Sequence, residues 1–121
     1  MSKIISVNKK IRKFKSQIII PGDKSLSIRW VLLSSLADGV SVAKNLLISE
    51  DVRAAIKAIK TLGIRATIKN NECKIYGKGF NGYKFKKNLT INAENSGTLG
   101  RLILGLLVNS PYPIKVIGDK S

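Results

Sequence analysis

Pro21-Gly22-Asp23-Lys24-Ser25-Leu26-Ser27-Ile28-Arg29 is the stretch from which the rest of the chain is read. Ile18-Ile19-Ile20 precedes it, a short β-branched run suited to a buried strand, and Pro21-Gly22-Asp23 breaks that run with turn residues. Beyond the break, Leu26, Trp30, Leu33 and Ala37 recur at the helical period, and Asp38-Gly39 supplies a C-terminal stop. Lys24 and Ser25 thus fall at or just before the first helical turn. There, unpaired N–H groups and the positive end of the helix dipole favour a bound phosphate or carboxylate. Ser25 and Arg29 share one helical face, so a guanidinium there can grip a phosphate through two parallel hydrogen bonds, with Lys24 adding a point charge. The stretch reads as an anion site.

With 121 residues, 44% of them hydrophobic, the chain is long enough for one domain with a real core. No apolar run is long enough to cross a bilayer, and Met1-Ser2-Lys3-Ile4-Ile5-Ser6 has no signal-peptide core, so the expected location is cytoplasmic and no membrane partner is expected. The single cysteine, Cys73, can form neither an internal disulfide nor a multi-cysteine zinc site, and no histidine exists to activate it. It reads as a structural residue of a strand.

A net charge of +15 points to anionic partners: nucleic acid, a membrane surface or phosphorylated metabolites. The excess is mostly lysine, scattered through Lys9, Lys10, Lys13, Lys15, Lys57, Lys60, Lys84, Lys86 and Lys87, a pattern that solvated faces also produce. A small basic nucleic-acid-binding module is the rival reading from another class. Its support is limited to Phe80, Tyr83 and Phe85 as a stacking cluster among basic residues, with no RNP-like motif and no zinc knuckle.

In chain order, Ile4 to Val7 and Phe14 to Ile20 read as strands, followed by the first helix. Val40 to Leu47 alternates enough for another strand. Ser49 caps a second helix from about Glu50 to Leu62, with Glu50 and Asp51 at its start as the dipole prefers, and Val52, Ala55, Ile56, Ile59 and Leu62 as its apolar stripe. Arg53, Lys57 and Lys60 take the wet side, and this helix reads as purely structural. Ile64 to Ile68 and Cys73 to Tyr76 form a hairpin through Asn70-Asn71, and Gly77 to Lys87 reads as an irregular surface connection. Leu89 to Ile91 is a strand. A third helix follows from about Gly97 to Val108, with Leu99, Leu102, Ile103, Leu106 and Leu107 inward, and Ile114 to Ile117 is the last strand.

The order is an α/β (α+β) pattern in repeating units. Gly22-Asp23-Lys24-Ser25 recurs as Gly118-Asp119-Lys120-Ser121, each time after an isoleucine-rich strand. The second copy stops where its helix should begin, as a fragment would. Asn95-Ser96-Gly97-Thr98 opens the third helix much as Asp23-Lys24-Ser25 opens the first. Asn95 suits an N-cap, Gly97 allows close approach to the backbone, and Arg101 stands three residues after Thr98. Two such helix starts make a paired anion site if the sheet sets them side by side.

Residues 21–29 resemble the PG-[SD]-KS-x-S-x-R signature of the 5-enolpyruvylshikimate-3-phosphate synthase family, and Asn95 to Arg101 resembles its N-[SA]-G-T-x-x-R motif. Gly118 to Ser121 resembles the start of a third motif. The family's length implies that this is about the first quarter of such an enzyme. The resemblance implies repeated βαβαββ units of the enolpyruvyl transferase inside-out barrel fold, incomplete here. Residues 1–20 would be strands belonging to the other domain, and 21–121 a partial first domain: the first unit and the start of the second. The implied reaction moves the enolpyruvyl group of phosphoenolpyruvate to the 5-hydroxyl of shikimate 3-phosphate with release of phosphate. No metal or organic cofactor is implied, the partners are small anionic substrates rather than nucleic acid, and the full-length enzyme is expected to be monomeric.

By the same resemblance Lys24 contacts both substrates, Ser25 and Arg29 hold shikimate 3-phosphate, Asn95 and Gly97 line the phosphoenolpyruvate subsite, and Thr98 and Arg101 support that loop. The family's proton-transferring residues have no counterpart within 1–121, so no catalytic residue is assigned and the chain alone is expected to be inactive. The sister UDP-N-acetylglucosamine enolpyruvyl transferases fit less well, because of the KS-x-S-x-R pattern and because Cys73 sits in a hairpin. Three positions depart from the pattern: Ile28, where histidine or asparagine is frequent, Glu94, where glycine is frequent, and Gly100, where methionine is. A carboxylate at 94 would oppose an anion unless it points away.

Overall fold

A computed structural model describes residues 3–10, 12–70 and 72–120. Its elements are helix α1 (Lys24–Leu36), strand β1 (Asp38–Lys44), helix α2 (Glu50–Thr61), strands β2 (Arg65–Lys69), β3 (Glu72–Lys78) and β4 (Thr90–Asn92), helix α3 (Gly97–Leu106) and strand β5 (Lys115–Ile117). β1, β3 and β2 form an antiparallel sheet with β3 in the centre, and Ile75 of β3 stands opposite both Ser41 and Ala66. β4 and β5 pair in parallel across α3, with Ile91 opposite Val116.

Helix α2 follows its sequence pattern closely. The Ser49 hydroxyl accepts a hydrogen bond from the Val52 amide at 3.4 Å, Glu50 and Asp51 occupy the first turn, and Val52, Ala55, Ile56, Ile59 and Leu62 are all buried. The inner face of the main sheet, carrying Ala66, Cys73 and Ile75, closes the core with α1. Each large side chain buried here contributes about 1.5–3 kcal/mol relative to exposure.

Helix α1 forms where expected but buries a different face. Ser27, Ile28, Val31, Leu32, Ser34 and Ser35 point inward, whereas Leu26 and Leu33 of the anticipated stripe are 67% and 66% exposed. Its apolar residues are spread around the whole helix, so periodicity could not choose the face, and small serines fit close to α2 and β3. In α3, Leu99, Ile103 and Leu107 are buried as expected, but Leu102 is exposed and Leu106 only half-buried.

Three further expectations are corrected. The described residues of 3–20 form no strand: Ile4, Ile19 and Ile20 are 91%, 85% and 72% exposed, because no sheet edge lies alongside them to take their backbone groups. β1 ends at Lys44 rather than Leu47, since Asn45 turns the chain at φ +59°. The connection after β3 is irregular but not merely superficial. Tyr83 is buried with its hydroxyl 2.6 Å from Ser35 Oγ, and Phe85 meets its ring edge-on at 6.1 Å. Of the three aromatics considered for stacking on bases, only Phe80 is exposed.

Asn70 takes the positive φ expected of the hairpin turn, at +49°, while Asn71 lies outside the described residues. Cys73 is a free, buried thiol on the inner face of β3. No helix among the described residues is long and apolar enough to cross a membrane.

Candidate functional site

Asp23 is the N-cap of α1: its Oδ1 accepts the Leu26 amide at 2.7 Å, leaving Lys24 and Ser25 as the first helical residues. The turn before it is clamped to the segment after β1. Asn45 Nδ2 donates to the Ile20 carbonyl at 3.1 Å, and the Leu47 amide donates to Ser27 Oγ at 3.2 Å. A Cβ at Gly22 would stand 2.6 Å from the Asn45 carbonyl oxygen and 2.8 Å from the Leu47 nitrogen. Glycine is therefore required by close backbone approach, which is what holds the α1 start against its neighbours.

The α3 start is built in parallel fashion, with one correction. The N-cap is Ser96 rather than Asn95, its Oγ accepting the Leu99 amide at 3.2 Å. This leaves Asn95 at the surface of the preceding loop, where it lines an open cleft with Gly97, Gly100, Gly118 and Asp119. No atom lies within 4 Å of where a Cβ on Gly97 would project, so the backbone there is open to a ligand. The arginines behave alike in the two helix starts. Arg29 Nη1 donates to the Ser25 carbonyl at 3.1 Å, and Arg101 Nε to the Gly97 carbonyl at 3.2 Å.

The start of α2, read from sequence as purely structural, completes the site. Glu50 and Asp51 line a pocket with Glu94, Asn95 and Asp119, and Asp51 Oδ2 pairs with Lys24 Nζ at 3.2 Å. Asp51 thus touches the first motif and shares a pocket wall with the second. In this way Asp51 links Lys24 to the pocket wall that Asn95 shares, while Ser25 and Arg29 continue along α1 and Thr98 and Arg101 along α3.

The charge of this pocket differs from that of the chain as a whole. Four carboxylates line it, of Glu50, Asp51, Glu94 and Asp119. Lys24 pairs with Asp51, and Lys57 Nζ stands 2.7 Å from Glu94 Oε1. Glu94 itself holds φ +51°, its amide donating to Asn92 Oδ1 at 2.8 Å and its carbonyl accepting from the Asp119 amide at 3.0 Å. Among the described residues no group of three or more histidine, cysteine or carboxylate side chains is placed to hold a metal ion.

Sequence reasoning passed over Asp51 and Lys57 as candidates because their partners, Lys24 and Glu94, are distant in sequence. Their only local signals, an acid at a helix start and a lysine on a wet face, are those of any amphipathic helix.

A family model described as EPSP synthase (3-phosphoshikimate 1-carboxyvinyltransferase) matches residues 8–121. The chain belongs to the EPSP synthase family. Among similar EPSP synthases, the 3-phosphoshikimate 1-carboxyvinyltransferases of Streptococcus pyogenes serotype M2 (strain MGAS10270) and serotype M1 are each 45% identical to it over 104 residues, 86% of this chain. The solved EPSP synthase from Acinetobacter baumannii superposes with a TM-score of 0.80 at 33% identity over 89% of the chain. The chain spans 24% of the length of these EPSP synthases, and its mixed helix-and-strand fold matches theirs over that part. Glu94, where the resemblance leads one to expect glycine, holds the left-handed backbone that glycine adopts freely.

Proposed function

We propose that this chain supplies part of the substrate cleft of a 3-phosphoshikimate 1-carboxyvinyltransferase, which moves the enolpyruvyl group of phosphoenolpyruvate to the 5-hydroxyl of shikimate 3-phosphate and releases phosphate. The observation that carries the proposal is the meeting of three helix starts: Lys24 of α1 on Asp51 of α2, and Asp51 on one pocket wall with Asn95 before α3. Lys24, paired with Asp51 on the wall that Asn95 shares, is suited to touch both substrates. Ser25 and Arg29 hold the phosphate of shikimate 3-phosphate. Only one guanidinium donor of Arg29 is engaged by the Ser25 carbonyl, and the fork has others to offer.

Asn95 and the open backbone at Gly97 form the phosphoenolpyruvate subsite. Ser96 fixes the helix start beneath it, and Arg101, held on the Gly97 carbonyl, supports the loop together with Thr98. Residues 21–121 act as part of one domain and the leading residues 1–20 as strands of another, where a sheet edge would cover the exposed Ile18, Ile19 and Ile20. The setting is the cytoplasm, the complete enzyme is a monomer, and its partners are small anions. Residues 1–121 alone do not turn over.

The test is a chimera in which these residues replace the matching quarter of the S. pyogenes relative. Phosphate release from phosphoenolpyruvate should depend on shikimate 3-phosphate and should be nearly abolished by Lys24→Met. A folded chimera that binds neither substrate would refute the proposal.

A further inference from the structure

Lys57 lies on the face of α2 that sequence assigns to solvent, yet its ammonium stands 2.7 Å from Glu94 Oε1. The pair is open to water, with side chains 69% and 36% exposed, and such pairs add little to folding stability. Its position gives it another consequence. Glu94 directly precedes Asn95 and lines both the cleft containing Gly97 and the pocket at the α2 start. Its backbone cannot easily swing aside, being fixed through its amide to Asn92 and through its carbonyl to the Asp119 amide. The backbone therefore keeps Glu94 beside the loop, and the Lys57 ammonium offsets its carboxylate there.

We infer that Lys57 is a positioning residue for the loop Glu94–Gly97, drawing the Glu94 carboxylate toward α2 and neutralising it so that Asn95 and Gly97 accept an anion. The inference rests on the proposed phosphoenolpyruvate subsite and adds to it a residue outside either motif. It explains how the chain carries a carboxylate where the family pattern frequently has glycine. The extra charge is offset from two turns along the neighbouring helix, much as Asp51 is offset by Lys24. Glu50 and Asp119 also line the pocket, so losing the Lys57 charge would make the wall that the loop faces more negative.

The experiment is a titration of the chimera with phosphoenolpyruvate, following the amide resonances of Asn95, Ser96 and Gly97. Lys57→Met is expected to weaken binding by about tenfold, Lys57→Arg to leave it within about twofold, and Lys57→Met with Glu94→Gly to restore it, as coupled neighbours do. Amide dispersion equal to that of the unsubstituted chimera controls for folding. Unchanged affinity in Lys57→Met, or failure of Glu94→Gly to rescue it, overturns the inference and leaves the subsite standing. If phosphoenolpyruvate moves none of these amides in the unsubstituted chimera, the subsite and the inference fall together. Rescue by removal of the carboxylate is a result that a merely structural role for Lys57 would not produce.

Discussion

Lys24 Nζ lies 3.2 Å from Asp51 Oδ2, joining the first residue of α1 to the first turn of α2. Lys24 is 54% exposed in this pair, so its worth to folding is at most about 1 kcal/mol. Its effect on the site is larger, because it fixes where the ammonium stands. Asp51→Asn is expected to leave the thermal midpoint of the chimera within a few degrees while lowering turnover about tenfold or more. Kinetics beside a melting curve separate the two effects.

Gly22→Ala drives a methyl group onto backbone atoms rather than onto a side chain that could move, the Asn45 carbonyl and the Leu47 amide. The expected cost is about 1–3 kcal/mol, measured as a shift of the urea midpoint at unchanged slope. Amide exchange at Leu47 should rise with it, since its bond to Ser27 Oγ depends on the same approach.

The inward face of α1 is tested by a pair of substitutions. Ile28→Ala removes a fully buried side chain and should cost about 2–5 kcal/mol. Leu33→Ala, at a position 66% exposed, should change stability by less than about 0.5 kcal/mol. Equal effects would mean that the face is assigned wrongly.

Burial raises the Cys73 thiol and the Tyr83 phenol above their ordinary values, with Lys60 pulling the first back and the Ser35 hydrogen bond the second. As pH rises the unfolded chain loses these protons first, so the folded state binds more protons and stability falls. The contribution is complete below about pH 8.5 and is lost progressively above it, through the range where free thiols and phenols ionise near 8.5 and 10. Urea midpoints at pH 8 and pH 10.5 should show the decline, and Cys73→Ala should reduce its early part.

Elements whose reasons are local were legible in the sequence. Ser49 caps α2 whatever surrounds it, and the stripe from Val52 to Leu62 admits one inward face. The two motifs were legible for the same reason, since Lys24, Ser25, Asn95 and Gly97 sit at helix starts marked by their own residues. What needed the third dimension was not. The face of α1 depended on α2 and β3, and the strand character of Ile18-Ile19-Ile20 depended on an edge that the described residues do not offer. Asp51 and Lys57 became candidates for the site only when folding set them against Lys24 and Glu94.

The fold-back of Arg29 onto the Ser25 carbonyl and of Arg101 onto the Gly97 carbonyl bears on the entropy of recognition. A free arginine is among the most disordered side chains, and fixing one on binding costs up to about 2 kcal/mol. Here each guanidinium is already parked on its own helix. An anion arriving at either helix start meets an arm whose rotamer is largely chosen in advance, and the disorder was given up when the chain folded.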